Sequence, residues 1–275
     1  MDNGHDLSQI HAGLRTPVFK VKLEAESVRL FHNSVRWAGQ SRIAPTLPVT
    51  FWQKAYPEWL SACILPQILR EQSVTYYEPL QLDQAYDCWI ECTHLSYQET
   101  KSGKTFLSAT HRLSGNREGK RVWDADTVLY IPSPVPDGVV AKKTMPAVQT
   151  QKLPTNQKPV WEELVTADQI RQFADASGDR QAIHLDKQVA VTAGYPHVLA
   201  HGMYSVGRSL SHYFQHVADS ETLLQLRIQF VGPLFAGDTL CYASTSTAGN
   251  YQLIGFEKGK EKLVFVADLQ VAKKE

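Results

Sequence analysis

The chain repeats one pattern on either side of a proline-rich stretch, and this repeat constrains its fold more than any other feature. Segment 131–159 reads IPSPVPDGVVAKKTMPAVQTQKLPTNQKP and holds six of the 14 prolines, with lysines and glutamines among them. It has neither a helical nor a strand period and reads as an extended linker. Before it stands VTYYEPLQLDQAYDCWIE (74–91), and after it IQFVGPLFAGDTLCYAS (228–244). Each passes from a β-rich run through a Pro-Leu step (Pro79-Leu80, Pro233-Leu234) and a turn holding Asp83 or Asp238 into a second β-rich run. A turn containing Gly103 or Gly259 follows, and then another strand, FLSATHRL or LVFVADLQV. Strands so spaced predict an antiparallel sheet, and the ordered series of matches predicts a duplicated unit.

Each half also offers one helix to bury. Over 202–217, Met203, Val206, Leu210, Tyr213, Phe214 and Val217 recur at intervals of three and four, the signature of a helix with one apolar face. The first-half counterpart, FWQKAYPEWLSACILPQIL (51–69), is less regular, because Pro57 and Pro66 break or kink a helix there. One central helix and a set of antiparallel strands per half make an α+β arrangement.

Bulk properties exclude several functions. Lys+Arg and Asp+Glu both number 28, so no net field draws the chain to nucleic acid or to an anionic membrane. No apolar run approaches the ~20 residues that span a bilayer. The opening MDNGHDLSQIHAGLR has no apolar core and does not read as a signal peptide. Cys63, Cys88, Cys92 and Cys241 are too few and too irregular for a disulfide framework. Cys88 and Cys92 share a strand face and read as buried thiols. A cytoplasmic protein is expected.

Chemistry concentrates in 166–207, TADQIRQFADASGDRQAIHLDKQVAVTAGYPHVLAHGMYSVG. Thr166 caps a short helix whose Ile170, Phe173 and Ala174 face inward, and Ser177-Gly178 ends it. Asp179 and, five residues on, His184 then fall on a non-helical loop. Asp186 caps a further short helix, and Tyr195-Pro196 turns the chain toward His201-Gly202, where the central helix begins. A carboxylate and an imidazole that reach one water form an acid–base couple. The head of the central helix leaves backbone N–H groups unpaired, and a glycine there lets a ligand oxygen come close. Such donors stabilise charge on a thioester carbonyl as an enolate forms.

This segment resembles the catalytic region of the MaoC-like, (R)-specific enoyl-thioester hydratases and dehydratases of the hotdog fold. The family pattern Ser/Gly-Gly-Asp-x-Asn-Pro-Ile-His-x-Asp is matched by Ser177, Gly178, Asp179, Arg180, Gln181, Ala182, Ile183, His184, Leu185 and Asp186, and its His-Gly-Met by His201, Gly202 and Met203. LRIQFVGPLFAGDTL is similar to the family's second strand block, and LREQSVTYYEPL is more loosely similar to the degenerate unit of two-domain members. Gln181-Ala182 replaces the family's Asn-Pro, which stiffens the loop in relatives.

The resemblance implies a double hotdog, two antiparallel sheets each wrapped around a central helix and packed as a pseudo-dimer. Its units would be an N-terminal degenerate, non-catalytic hotdog (1–135), a linker (136–158) and a C-terminal catalytic hotdog (159–275). It implies Asp179 and His184 as the catalytic pair and the Gly202 N–H as oxyanion donor. The substrate would be an acyl-CoA or acyl-carrier-protein thioester whose chain lies in an apolar tunnel in the other half. No cofactor, metal, nucleic acid or membrane is implied, and a homodimer is compatible with it. An acyl-CoA thioesterase and a non-catalytic acyl-thioester-binding protein are the rival readings.

Other tempting residues have simpler explanations. His201 is read as packing beneath the helix head and Asp186 as a cap. His212 and His216, four apart on a helix, lack a carboxylate to complete a metal site. Glu71 and Gln72 stand in a half without an Asp–x4–His loop and are read as non-catalytic. Lys142, Lys143, Lys152 and Lys158 are read as a solvated tether.

Overall fold

The computed structural model describes residues 7–37, 42–61, 63, 67–100, 102–143, 159–216, 221–247, 250–260 and 262–273. The first half runs β1 (Phe19–Lys22), α1 (Ala25–Ser34), a 3-10 segment (Leu47–Lys54), α2 (Glu58–Ser61), β2 (Ile68–Tyr76), β3 (Ala85–Glu99), β4 (Thr105–Arg117), β5 (Lys120–Pro132) and β6 (Lys142–Lys143). The second half runs β7 (Trp161–Leu164), α3 (Ala167–Ser177), α4 (Ala182–Leu185), α5 (Lys187–Thr192), α6 (Gly202–His216), β8 (Glu221–Phe230), β9 (Thr239–Thr247), β10 (Asn250–Glu257) and β11 (Lys262–Lys273). Within the linker, β6 pairs with the end of β3, so Lys142 and Lys143 border the sheet, whereas Lys152 and Lys158 lie outside the described residues.

The strands form a single sheet in the order β1-β3-β4-β5-β2-β8-β11-β10-β9-β7. The double-hotdog plan thus appears with its two sheets joined edge to edge where β2 meets β8. Ser73 faces Arg227 at the middle of that seam, flanked by Gln72↔Ile228 and Val74↔Leu226. Arg227 follows Ser73 in the chain by the same separation as Pro233 follows Pro79, so the repeat in sequence is the two-fold of the sheet. The two repeated turns contain Gly103 and Gly259, with φ of 77° and 76°, a backbone region that costs glycine little.

The helices depart from expectation in two ways. In the first half, the expected central helix is a 3-10 segment opened by Pro48, then a break at Pro57, then one turn of α-helix. Pro57 has no N–H to continue a helix, which is where the sequence placed a break. That half also builds α1, which was not expected although Val28, Phe31 and Val35 recur there at intervals of three and four. It packs on α3, with Phe31 and Phe173 ring centroids 5.8 Å apart.

The second departure concerns α6. Every residue from Met203 to Ser211 is buried, so the helix is covered on all sides rather than on one face. Its small residues permit this. A Cβ on Gly207 would lie 2.8 Å from Val35 Cγ1, and Ser211 Oγ donates to the Arg36 carbonyl. Arg208 Nη1 donates to the Val35 carbonyl at 2.8 Å, while its other nitrogens grip Glu163 of β7. The end of α1 is thereby fixed against the middle of α6. Cys88, Cys92 and Cys241 are buried thiols, and Cys63 is a half-buried one. No helix is long and apolar enough to cross a membrane among the described residues.

Candidate active site

Asp179 is delivered by a well-terminated helix. Thr166 and Gln169 form a reciprocal capping box at the head of α3, and Gly178 ends it with φ 78° and an N–H bonded to the Ala174 carbonyl. Gly178 also passes close to the first half, since a Cβ there would meet Gln53 Cβ at 3.2 Å. Asp179 follows at once, its N–H donating to Ser177 Oγ at 3.2 Å.

His184 lies on the single turn α4, not on the non-helical loop expected from sequence. Its N–H donates to the Gln181 carbonyl at 3.0 Å, and the Leu199 N–H donates to the Ile183 carbonyl at 3.2 Å. A turn this short has no periodicity for sequence reading to detect. The side chain is fixed through Nδ1, which donates to the Leu199 carbonyl at 2.9 Å. Because a carbonyl only accepts, Nδ1 carries the proton and Nε2 presents a lone pair.

Leu199 is in turn held by the repeated Pro-Leu turn. The Ala200 N–H donates to the Leu234 carbonyl at 2.8 Å, and the Ala236 N–H donates to the Val198 carbonyl at 3.1 Å. Asp238 Oδ2 accepts from the Phe235 N–H at 2.9 Å and closes that turn. The motif that marks the duplication therefore also orients His184.

The side-chain donor atoms of Asp179, His184 and His201 all lie within 4.8 Å of one another. The structure thus brings together the two residues expected to act and a third read only as packing. His201 is 3% exposed, its Nε2–H donates to the Asp179 carbonyl at 2.9 Å, and its ring stacks on His184 with centroids 3.8 Å apart. Burial first, then the nearby His184, pushes the His201 pKa down to about 3. Burial also lowers that of His184, against the pull of Asp179 and the Leu199 bond. Both rings are held neutral near pH 7. Burial beneath the helix head was legible in the sequence, whereas the grip on the Asp179 backbone was not.

Asp, His and His is also a donor set suited to a divalent transition metal. Two of the four ring nitrogens donate to backbone carbonyls, which leaves His184 Nε2 and His201 Nδ1 as ring lone pairs beside the Asp179 carboxylate. Elsewhere, Asp186 Oδ1 caps α5 by accepting from the Gln188 and Val189 N–H groups. His212 Nδ1 shares a hydrogen bond with the Tyr242 hydroxyl, and His216 Nδ1 donates to the His212 carbonyl.

Gly202 opens α6, where the first N–H groups have no partner within the helix. A Cβ on Gly202 would lie 2.5 Å from Phe230 Cε1, so close packing alone already requires glycine here. Beside the centre is a cavity of about 140 Å³. Asp179, Gln181, Phe173 and Met203 line it from the second half, and Trp52, Tyr56, Leu69, Gln72, Thr127 and Leu129 from the first. The first half thus walls the site as expected, but its wall is mixed rather than apolar. Gln72 was set aside in the sequence and belongs to it.

Comparisons with known proteins bear on the second half and on the fold. Residues 147–262 match the family model described as MaoC like domain. The peroxisomal multifunctional enzyme type 2 of Drosophila melanogaster is 28% identical over 118 residues, which are 42% of this chain and 20% of that protein. The chain therefore matches only about a fifth of that curated relative. Among solved structures, a MaoC-like dehydratase from Phytophthora capsici superposes with TM-score 0.76 at 16% identity, over 98% of each chain. A Mycobacterium tuberculosis protein described as having a double hotdog fold superposes with TM-score 0.65 at 13% identity, also over 98% of each chain. At those identities the likeness is one of fold. Residues 147–262 are thus similar to MaoC-like domains, on a fold like that of double-hotdog proteins.

Proposed function

We propose that the chain interconverts a trans-2-enoyl thioester and an (R)-3-hydroxyacyl thioester by adding and removing water, with Asp179 and His184 as its catalytic pair. The observation that carries this reading is the convergence of a carboxylate and a proton-accepting imidazole nitrogen beside a helix head and a cavity.

Both groups accept hydrogen bonds, and one water has two hydrogens to give them. Held by Asp179 and by His184 Nε2, the water oxygen attacks C3 of the enoyl group as one of its protons passes to the pair. The electrons of the double bond move onto the thioester oxygen. The Gly202 N–H at the head of α6 is the donor assigned to that oxygen. The transferred proton then returns from the pair to C2, giving the 3-hydroxyacyl product. Dehydration runs the same steps backward. His201 is a positioning residue, setting Asp179 through its backbone and His184 through its ring.

The assay is loss of the enoyl absorbance of crotonyl-CoA, with chiral analysis of the product. Formation of (R)-3-hydroxybutanoyl-CoA is the expected result. Release of free coenzyme A with the double bond intact would instead identify a thioesterase, and binding without turnover an acyl-thioester-binding protein. The first half is read as the non-catalytic partner unit and the cell compartment as the cytoplasm. Both are open to test, by assay of the isolated second half and by imaging.

A further inference from the structure

The wall that the first half supplies to the cavity carries a buried polar ladder. Gln72 faces Thr127 across β2 and β5, and Thr127 faces His111 across β5 and β4. All three are buried, two of them completely. The two-fold of the sheet puts Leu226, Leu269 and Tyr251 at the matching places in the second half. Where one half places two leucines and a tyrosine, the half that walls the cavity buries an amide, a hydroxyl and an imidazole. Burying polar groups costs stability unless each is hydrogen-bonded, so this substitution of polar for apolar needs a reason.

The hydrogen bonds define what the ladder presents. Gln72 Nε2 donates to the Ser73 and Asp126 carbonyls at 3.1 and 3.0 Å, which uses both of its hydrogens and fixes the orientation of the amide. Thr127 Oγ1 donates its only hydrogen to Gln72 Oε1 at 2.8 Å. Tyr56 likewise donates its hydroxyl hydrogen to Gln67 Oε1 at 2.7 Å, while Gln67 Nε2 donates to the Leu60 carbonyl at 2.8 Å. In the Gln72–Thr127 pair every hydrogen is used, so what Thr127 Oγ1 offers a ligand is a lone pair. No Lys or Arg lines the cavity, so it has no counter-charge for a carboxylate on the acyl chain.

The size of the cavity points the same way. A closed cavity of about 150 Å³ holds benzene, a molecule of six carbons, and this one, open to solvent at its mouth, measures about 140 Å³. Trp52 and Tyr56, 6.2 Å apart between ring centroids, fill space that a long chain would need.

Building on the reaction proposed above, we propose that the site selects a short acyl group of about six carbons or fewer that carries a hydroxyl, donated to Thr127 Oγ1, toward its far end. The test compares kcat/KM for 2-hexenoyl-CoA, 6-hydroxy-2-hexenoyl-CoA and 2-decenoyl-CoA. The ten-carbon substrate should be about 100-fold poorer than 2-hexenoyl-CoA, and the hydroxylated one about tenfold better. Thr127→Val should bring the two six-carbon substrates to within about twofold of each other. Leu129→Ala, which enlarges the cavity, should raise the decenoyl rate relative to the hexenoyl rate. Equal or better turnover of 2-decenoyl-CoA, or a hydroxyl preference that survives Thr127→Val, overturns the proposal. Calorimetric binding of hexanoyl-CoA and decanoyl-CoA, which cannot be hydrated, separates the two readings. Tighter hexanoyl binding without any hydratase activity would leave the cavity assignment standing and remove the reaction. Hydratase activity with tighter decanoyl binding would do the reverse.

Discussion

His184 and His201 lie face to face, their ring centroids 3.8 Å apart, and each gives one ring N–H to a backbone carbonyl of the site. His184 is bonded to Leu199 and His201 to Asp179, so the two rings hold the segment proposed to be catalytic from both sides. His201→Phe keeps the ring and removes the bond to the Asp179 carbonyl. It is expected to lower kcat more than KM, by about tenfold. An unchanged rate would reduce His201 to packing.

The pair itself should be far more sensitive. Asp179→Asn and His184→Ala are each expected to lower kcat by two orders of magnitude or more, roughly what loss of a positioned acid–base group costs. Asp179 lines an open cavity, so the folded state should survive, and near-native melting temperatures would show it. Near-native activity in either variant would refute the assignment.

Protonation of His184 removes the Nε2 lone pair and should stop the reaction. Burial lowers its pKa from the ordinary 6.5. The acid limb of log(kcat/KM) is therefore expected below pH 6.5, with activity full above it and lost as pH falls through the lowered value. A limb above 6.5 would mean that another group is titrating.

Two buried histidines link stability to acid. Burial pushes His111 down to about 4 and His201 to about 3, so the fold holds them neutral while the unfolded chain protonates near 6.5. Their contribution is whole above pH 6.5 and is lost as pH falls toward those values. For His111 the loss by pH 4 is about 3 kcal/mol. His111→Phe should flatten the fall of the urea midpoint over that range, even if the variant is less stable at pH 7, where it leaves the Trp59 indole N–H unpaired. An unaltered slope would rule this out.

Gly202 is required for space whether or not its amide serves the reaction. Gly202→Ala should destabilise the fold by about 1–3 kcal/mol through the clash with Phe230. Phe230→Ala removes that ring, and the double variant retains the backbone N–H. Recovery of stability together with turnover fits an oxyanion donor. If turnover stays lost after stability returns, the gap between single and double variants measures what Phe230 does for the substrate.

Much of the site was legible because its determinants are local. A cap at Thr166, a left-handed stop at Gly178, an aspartate just beyond and a cap at Asp186 are each fixed by residue types a few positions apart, and all are present. The single turn carrying His184 was missed because four residues are too few to show a period. The first-half 3-10 segment stands where a kinked helix was expected, and α1 was missed although Val28, Phe31 and Val35 give it a helical period. The small residues of α6 read as one polar face, because sequence does not reveal that Val35 and Arg36 cover that face.

The sequence alone determined the duplication, the antiparallel strands and the Asp–x4–His segment leading to a Gly-headed helix, all set by short-range chemistry and periodicity. Only the tertiary structure decided that β2 and β8 join the halves into one sheet, that Leu199 and His201 hold the pair, and that Gln72 and Thr127 wall its cavity. Those contacts join residues far apart in the chain, and pairing of that kind is settled by how whole surfaces pack, which no local pattern encodes.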